Sequence, residues 1–359
     1  MNQTKLPGTR DPLSNSNLLF IIAAVIFVLM YAFAIIRYPG SFMQFQTFFD
    51  LFSLNAPLII LTLGISIVMI GGGIDISVGA VTGLVTMCCA LLLESGSGGI
   101  ASAILLSLGI GLAFGLLQGF LIAYLEIQPF IITLAGMFLA NGLLTTIHKD
   151  PINVTRPDFV ALRDFEFVIP WLGTRNRLGN FIPLEIKAGA VIAIILIVVL
   201  FVIMKWSRFG RNLYAVGGNS QSALMLGINV RKTKFFSYLL CGLLSGIAGW
   251  VYIMTTGAGN VGNASGFEMK AIAGSIIGGT MLSGGVGNLF GSPIGALTLL
   301  TINELIRAAG VNSNFQAIVS GGLLYVFIVL QSVVVWFRTG GKTFKLALPS
   351  WMHSRTAAS

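Results

Sequence analysis

Ten apolar runs, almost free of charge, dominate this chain at roughly 18–36, 51–70, 76–93, 100–125, 130–147, 188–204, 235–256, 271–282, 288–306 and 315–336. Several are long enough to cross about 30 Å of hydrocarbon as helices. Inside a bilayer no water satisfies backbone N–H and C=O groups, so a spanning segment must be a helix or part of a closed barrel. Barrel strands alternate over about ten residues, and these runs do not. The expected fold is therefore an all-α polytopic membrane protein with about ten transmembrane helices. Composition agrees: of 359 residues, 55% are hydrophobic and only 9% charged, against roughly 25% charged in a soluble domain.

The net charge of +9 raises nucleic acid as a partner, but the distribution of charge excludes it. Basic residues cluster beside apolar runs, the pattern that orients a chain in a membrane. Residues 205–234 carry Lys205, Arg208, Arg211, Arg231, Lys232 and Lys234 without an acid, and the tail 337–359 carries Arg338, Lys342, Lys345 and Arg355 without one. Both are expected to be cytoplasmic. Four spans separate them and six precede residue 205, so the tail 1–17 is expected to be cytoplasmic too. No A-x-A-like cleavage site follows it, so a removable signal is not expected. The loop 148–187, of mixed charge, then faces outward.

That loop divides the membrane domain 18–336 into halves 18–147 and 188–336, five spans each. Two halves with an odd number of spans run in opposite directions if they share a fold, and such inverted repeats often mark a transport path with broken helices. Both halves interrupt a span at glycines plus one acid: GGGIDIS with Asp75, and TTGAGNVG followed by Glu268. Two inverted five-helix repeats with broken helices are expected. The count places the Asp75 turn toward the cytoplasm and Glu268 toward the outside.

Asp75 and Ser77 precede a helix starting near Val78 and are suited to cap its free N–H groups. They are also candidates for the substrate path, because an acid within the bilayer costs ~2.5–3.5 kcal/mol and marks function. Polarity within spans adds Gln118, Asn141, Asn303 and Glu304, although such residues also hydrogen-bond neighbouring helices. Glycines spaced by four, at Gly111, Gly115 and Gly119, Gly242 and Gly246, and Gly274 and Gly278, predict close helix crossings.

Some motifs carry nothing. Gly257 to Gly262 fits G-x-G-x-x-G but lies among membrane spans rather than in a βαβ unit. Gly341-Lys342-Thr343 resembles the end of a P-loop whose first glycine would fall at Trp336. Cys88, Cys89 and Cys241 lie in apolar runs without disulfide or metal spacing. His148 and His353 stand far from one another. No catalytic residue, metal site or cofactor of the chain's own is expected.

The loop 205–234 contains GGNSQSALMLGINVRKTK, residues 217–234. Asn219 is a natural N-cap, 220–226 can form two helical turns, and Gly227 can end them in the left-handed conformation. So short a helix cannot span a membrane. Its apolar side, centred on Ala223 and Leu224, is expected to pack on its own protein or dock into a partner.

GGIDISVGA at 72–80, IQPFIITLAGM at 127–137, RFGRNLYAVGGN…LGINV at 208–230 and AIAGSIIGGTMLSGGVGN at 271–288 together resemble the permease subunits of bacterial ABC importers for monosaccharides. Ribose, xylose, galactose and galactofuranose are their solutes, and the galactofuranose branch looks closest. The resemblance extends from about residue 18 to 336. It implies a second permease, identical or homologous, a separate ABC ATPase that binds ATP and Mg, and a solute-binding protein. It also implies that Asn219, Ser220, Gln221, Ala223, Leu224 and Gly227 belong to a helix coupling the permease to the ATPase. Asn141 departs from relatives with arginine there, so no role for a cation carries over. An ion-coupled secondary transporter using Asp75 and Glu268 is the rival reading. A further alternative is an ABC permease for an amino acid or nucleoside.

Overall fold

The computed structural model describes residues 12–175 and 181–311, with scattered positions between 315 and 333. The chain opens with α1 (Pro12–Arg37), a single turn α2 (Pro39–Phe42) and α3 (Phe45–Leu54). Next come α4 (Ala56–Ile70), α5 (Val78–Glu94), α6 (Ile100–Ala123) and α7 (Pro129–Ile147). The segment expected as a plain external loop is structured instead: β1 (Ile152–Asn153), α8 (Pro157–Arg163), β2 (Glu166–Arg175) and β3 (Phe181–Lys187). β2 and β3 form an antiparallel hairpin with an irregularity between Ile169 and Gly173. After α9 (Ala188–Trp206), α10 (Arg208–Gly218) and α11 (Ser220–Met225) come α12 (Val230–Thr256), β4 (Ala258–Gly259), α13 (Phe267–Ile277) and α14 (Gly291–Ala308).

Five described helices are long and apolar enough to cross a membrane: residues 19–37 of α1, and α6, α7, α9 and α12. A sixth appears if α3 and α4, bent by 61°, count as one span. The bend has a local cause in Pro57, which lacks an N–H, in the first turn of α4. The expected ten inverted spans are not reached among the described residues. α13 has 11 residues, roughly 16 Å of helix, which is half a crossing. The last expected run, 315–336, lies mostly outside the described residues. The basic segment 205–234 is largely helical. It comprises the end of α9, α10, α11 and the first turn of α12, so Arg231, Lys232 and Lys234 stand on a membrane helix.

α12 is the axis of the molecule and packs on α4, α5 and α6. Its crossing with α6 rests on the glycines. A Cβ at Gly115 would lie 2.9 Å from the Tyr238 carbonyl oxygen, and one at Gly242 would lie 2.5 Å from that of Gly111. Gly274 sits against Ala296 and Gly278 against Gly291 where α13 crosses α14. With no hydrophobic force between helices in lipid, such backbone approach supplies van der Waals contact instead. At one end of α12, Arg231 pairs with Glu126 at 2.8 Å. At the other, β4 pairs with β1 and Thr155 donates to Glu94 at 2.8 Å. The molecule thus has a basic end and a hairpin end.

Candidate functional site

α4 stops at Ile70 because three glycines follow, with Gly72 at φ +79 and the Gly73 N–H turned back onto the Val68 carbonyl at 3.0 Å. The chain then reverses, and Asp75 becomes buried at 2% exposure. One carboxylate oxygen accepts the Ser77 N–H at 2.9 Å and the Ser77 hydroxyl at 2.7 Å. Gln118 of α6 donates from Nε2 to Ser77 Oγ at 2.8 Å. From α12, the Cys241 thiol lies beside the same carboxylate and the Tyr238 hydroxyl donates to the Ile74 carbonyl at 3.2 Å. Gly136 lets α7 close over this cluster, since a Cβ there would meet the Gln118 amide.

The capping expectation needs correction. Ser77 occupies the N-cap position of α5 in an αR conformation and makes no side-chain cap bond. Its hydroxyl is turned to Asp75 and Gln118 instead. Asp75 organises the turn before the helix, not the helix N-terminus itself.

The second acid lies close to the same helix start. A Cβ at Gly79 would lie 3.0 Å from the Ala264 carbonyl oxygen and 3.1 Å from the Glu268 nitrogen, and would touch the Glu268 carboxylate. Both acids therefore flank the first turn of α5. Glu268 stands in the first turn of α13, where the helix dipole favours an anion.

The six candidate path residues fall in three places. Asp75, Ser77 and Gln118 join in the buried cluster. Asn141 does not: it is exposed on α7, and nothing brings it to the others. Asn303 is half-buried on α14. Glu304 pairs with Arg307 at 3.1 Å and lines a cavity of 330 Å³ with Asp50, Thr47 and Tyr31. Gln46 ties that cavity to the hairpin, donating to Asp50 at 2.7 Å and to the Glu185 carbonyl at 3.1 Å. The sequence alone gives Tyr238 no role and marks Cys241 only as a cysteine in an apolar run. The available signal was a tyrosine in an apolar span, whose hydroxyl must find a partner there.

At the basic end, Asn219 caps α11 as expected, accepting the Ser222 N–H at 2.8 Å, and Gly227 has φ +79. Ser220 and Gln221 are exposed. Ala223, however, is buried at 2% exposure within its own chain, while Leu224, Met225 and Leu226 are 65%, 87% and 78% exposed. The exposed apolar surface of this segment is thus centred on residues 224–226, while Ala223 faces its own protein.

Residues 47–328 match the family described as branched-chain amino acid transport system / permease component. The chain belongs to this family. The fructose import permease FruG of Bifidobacterium longum is 33% identical over 336 residues, covering 93% of this chain and 96% of the relative. The inner membrane ABC transporter permease YjfF of Escherichia coli is 34% identical, covering 89% and 94%. The ribose import permease RbsC of Escherichia coli is 28% identical, covering 81% and 87%. No solved structure matches the chain. The family consists of permease components of transport systems, so the chain is a multi-pass membrane permease.

Proposed function

We propose that this chain is the permease subunit of an ATP-driven importer that takes a monosaccharide from a solute-binding protein and passes it along a path beside α5. A second permease, identical or homologous, completes the core, and a separate ABC ATPase binds ATP and Mg. The basic end is cytoplasmic, in accord with the bias of lysine and arginine, and both termini lie on that side.

The observation that carries this reading is α11. A capped two-turn helix that exposes Leu224, Met225 and Leu226 side by side would be marginal in water alone and forms a natural plug for a cleft in a partner. The polar turn at Asp75, Ser77 and Gln118 is buried and fixes the start of α5 beside that path. The first test is purification from the native membrane. Stoichiometric retention of an ATPase subunit supports the assignment, and a purified chain that transports solute without one refutes it.

A further inference from the structure

α10 lies between the membrane helix α9 and the exposed α11, and one face of it is buried. Ser207 caps it, accepting the Gly210 N–H at 3.1 Å, and Leu213 and Val216 are almost fully buried. That face touches both interruptions of the membrane helices. Leu213 Cδ1 lies 2.8 Å from where a Cβ at Gly71 would stand. The Tyr214 hydroxyl donates to the Gly287 carbonyl at 2.8 Å. At the end of α10 a Cβ on Gly217 would collide with the Ile70 carbonyl oxygen and lie 2.6 Å from the Gly285 nitrogen.

The two interruptions also meet each other there. The Gly285 N–H donates to the Ile70 carbonyl at 2.9 Å. A Cβ on Gly284, itself at φ +81, would lie 2.8 Å from both the Gly217 carbonyl oxygen and Gly72 Cα. Three backbone segments, 70–73, 217–218 and 284–287, thus pack with no side chain between them. Only Asn219 separates this contact from α11, and α11 packs against α10 with Ala223 buried.

We propose that Gly217 is a positioning residue for transport, and that α10 is the rod by which a displacement of α11 reaches both helix interruptions at once. With α10 seated, the glycine contact holds residues 70–73 against 284–287 and closes the basic end. Movement of α10 parts the two segments and opens the path. This inference rests on the proposed function, because it needs a partner that moves α11.

The test uses the intact complex in proteoliposomes, with the binding protein and radiolabelled D-fructose or D-ribose, measuring uptake and ATP hydrolysis together. Gly217→Ala should assemble fully and hydrolyse ATP, yet lose uptake at least tenfold, so that ATP consumed per sugar rises by the same factor. Gly218→Ala is the matched control, since nothing lies within 4 Å of a Cβ there, and should transport within twofold of wild type. If Gly217→Ala fails to assemble, Tyr214→Phe replaces it and should raise ATP consumed per sugar about threefold or more. Normal coupling in either of these two variants, or equal loss in Gly218→Ala, overturns the inference while leaving the transport function standing. A wild-type complex that neither hydrolyses ATP nor accumulates sugar condemns the functional reading, and this inference with it.

Discussion

Asp75 separates a structural carboxylate from one whose charge is needed for transport. Its Oδ1 accepts two hydrogen bonds from Ser77, and the Cys241 thiol lies beside the carboxylate. None of the ion pairs formed among the described residues includes it. Asp75→Asn keeps an acceptor oxygen in the same place for both Ser77 bonds, so a loss of no more than about 1–3 kcal/mol is expected. Asp75→Ala removes the acceptor altogether. The buried Ser77 N–H is then orphaned at about 1–3 kcal/mol, while the Ser77 hydroxyl can turn to Gln118. With the cavity added, the loss should reach about 3–5 kcal/mol. Thermal unfolding of the purified protein in detergent, read beside uptake in proteoliposomes, measures both effects. Asn should lower the midpoint modestly and keep uptake, and Ala should lower it steeply. A stable Asn variant without transport would refute the structural role and make the charge itself essential.

Gly242→Val should destabilise the α6–α12 crossing by about 1–3 kcal/mol through overpacking, seen as a lower unfolding midpoint, whereas Gly109→Val, with nothing within 4 Å, should change it by less than about 0.5 kcal/mol. Replacing Leu224 and Met225 together by Ser should leave insertion intact and release the ATPase during purification, and retention of normal stoichiometry would count against α11 as its seat. In the hairpin, burial and the neighbouring Glu185 carboxyl raise the Glu166 carboxyl above its ordinary value. The folded hairpin therefore favours the protonated form, so its penalty is present at neutral pH and is relieved as pH falls through that raised value. Exchange protection of the β2 amides, corrected for intrinsic rates, should increase from pH 7 toward pH 5, and less so in Glu185→Gln.

Much of this architecture is legible in the residues themselves. The glycine spacings name the crossings they make, because backbone approach in lipid needs small residues at fixed intervals. Asn219 and Gly227 announce α11 by cap chemistry that is wholly local. The proximity of the two acids is not local. Asp75 and Glu268 flank one turn of α5 through tertiary packing, and a run of apolar letters does not say where a helix begins within it. The same limit hid α10. RFGRNLYAVGG reads as a basic loop until its apolar face, Leu213 and Val216, is seen seated on glycines far away in the chain. Ala223 and Leu224 are adjacent letters of similar character, and only the packing of α11 decides which one faces inward. Asn141 shows the converse, since polarity alone made it a path residue and the fold leaves it apart from the others.

The most direct measurement is sugar uptake by proteoliposomes holding this chain, its ATPase and its binding protein, with ATP and ion gradients varied separately. The account predicts accumulation that requires ATP and the binding protein and persists when every ion gradient is collapsed. Accumulation driven by a proton or sodium gradient in the absence of ATP would contradict it.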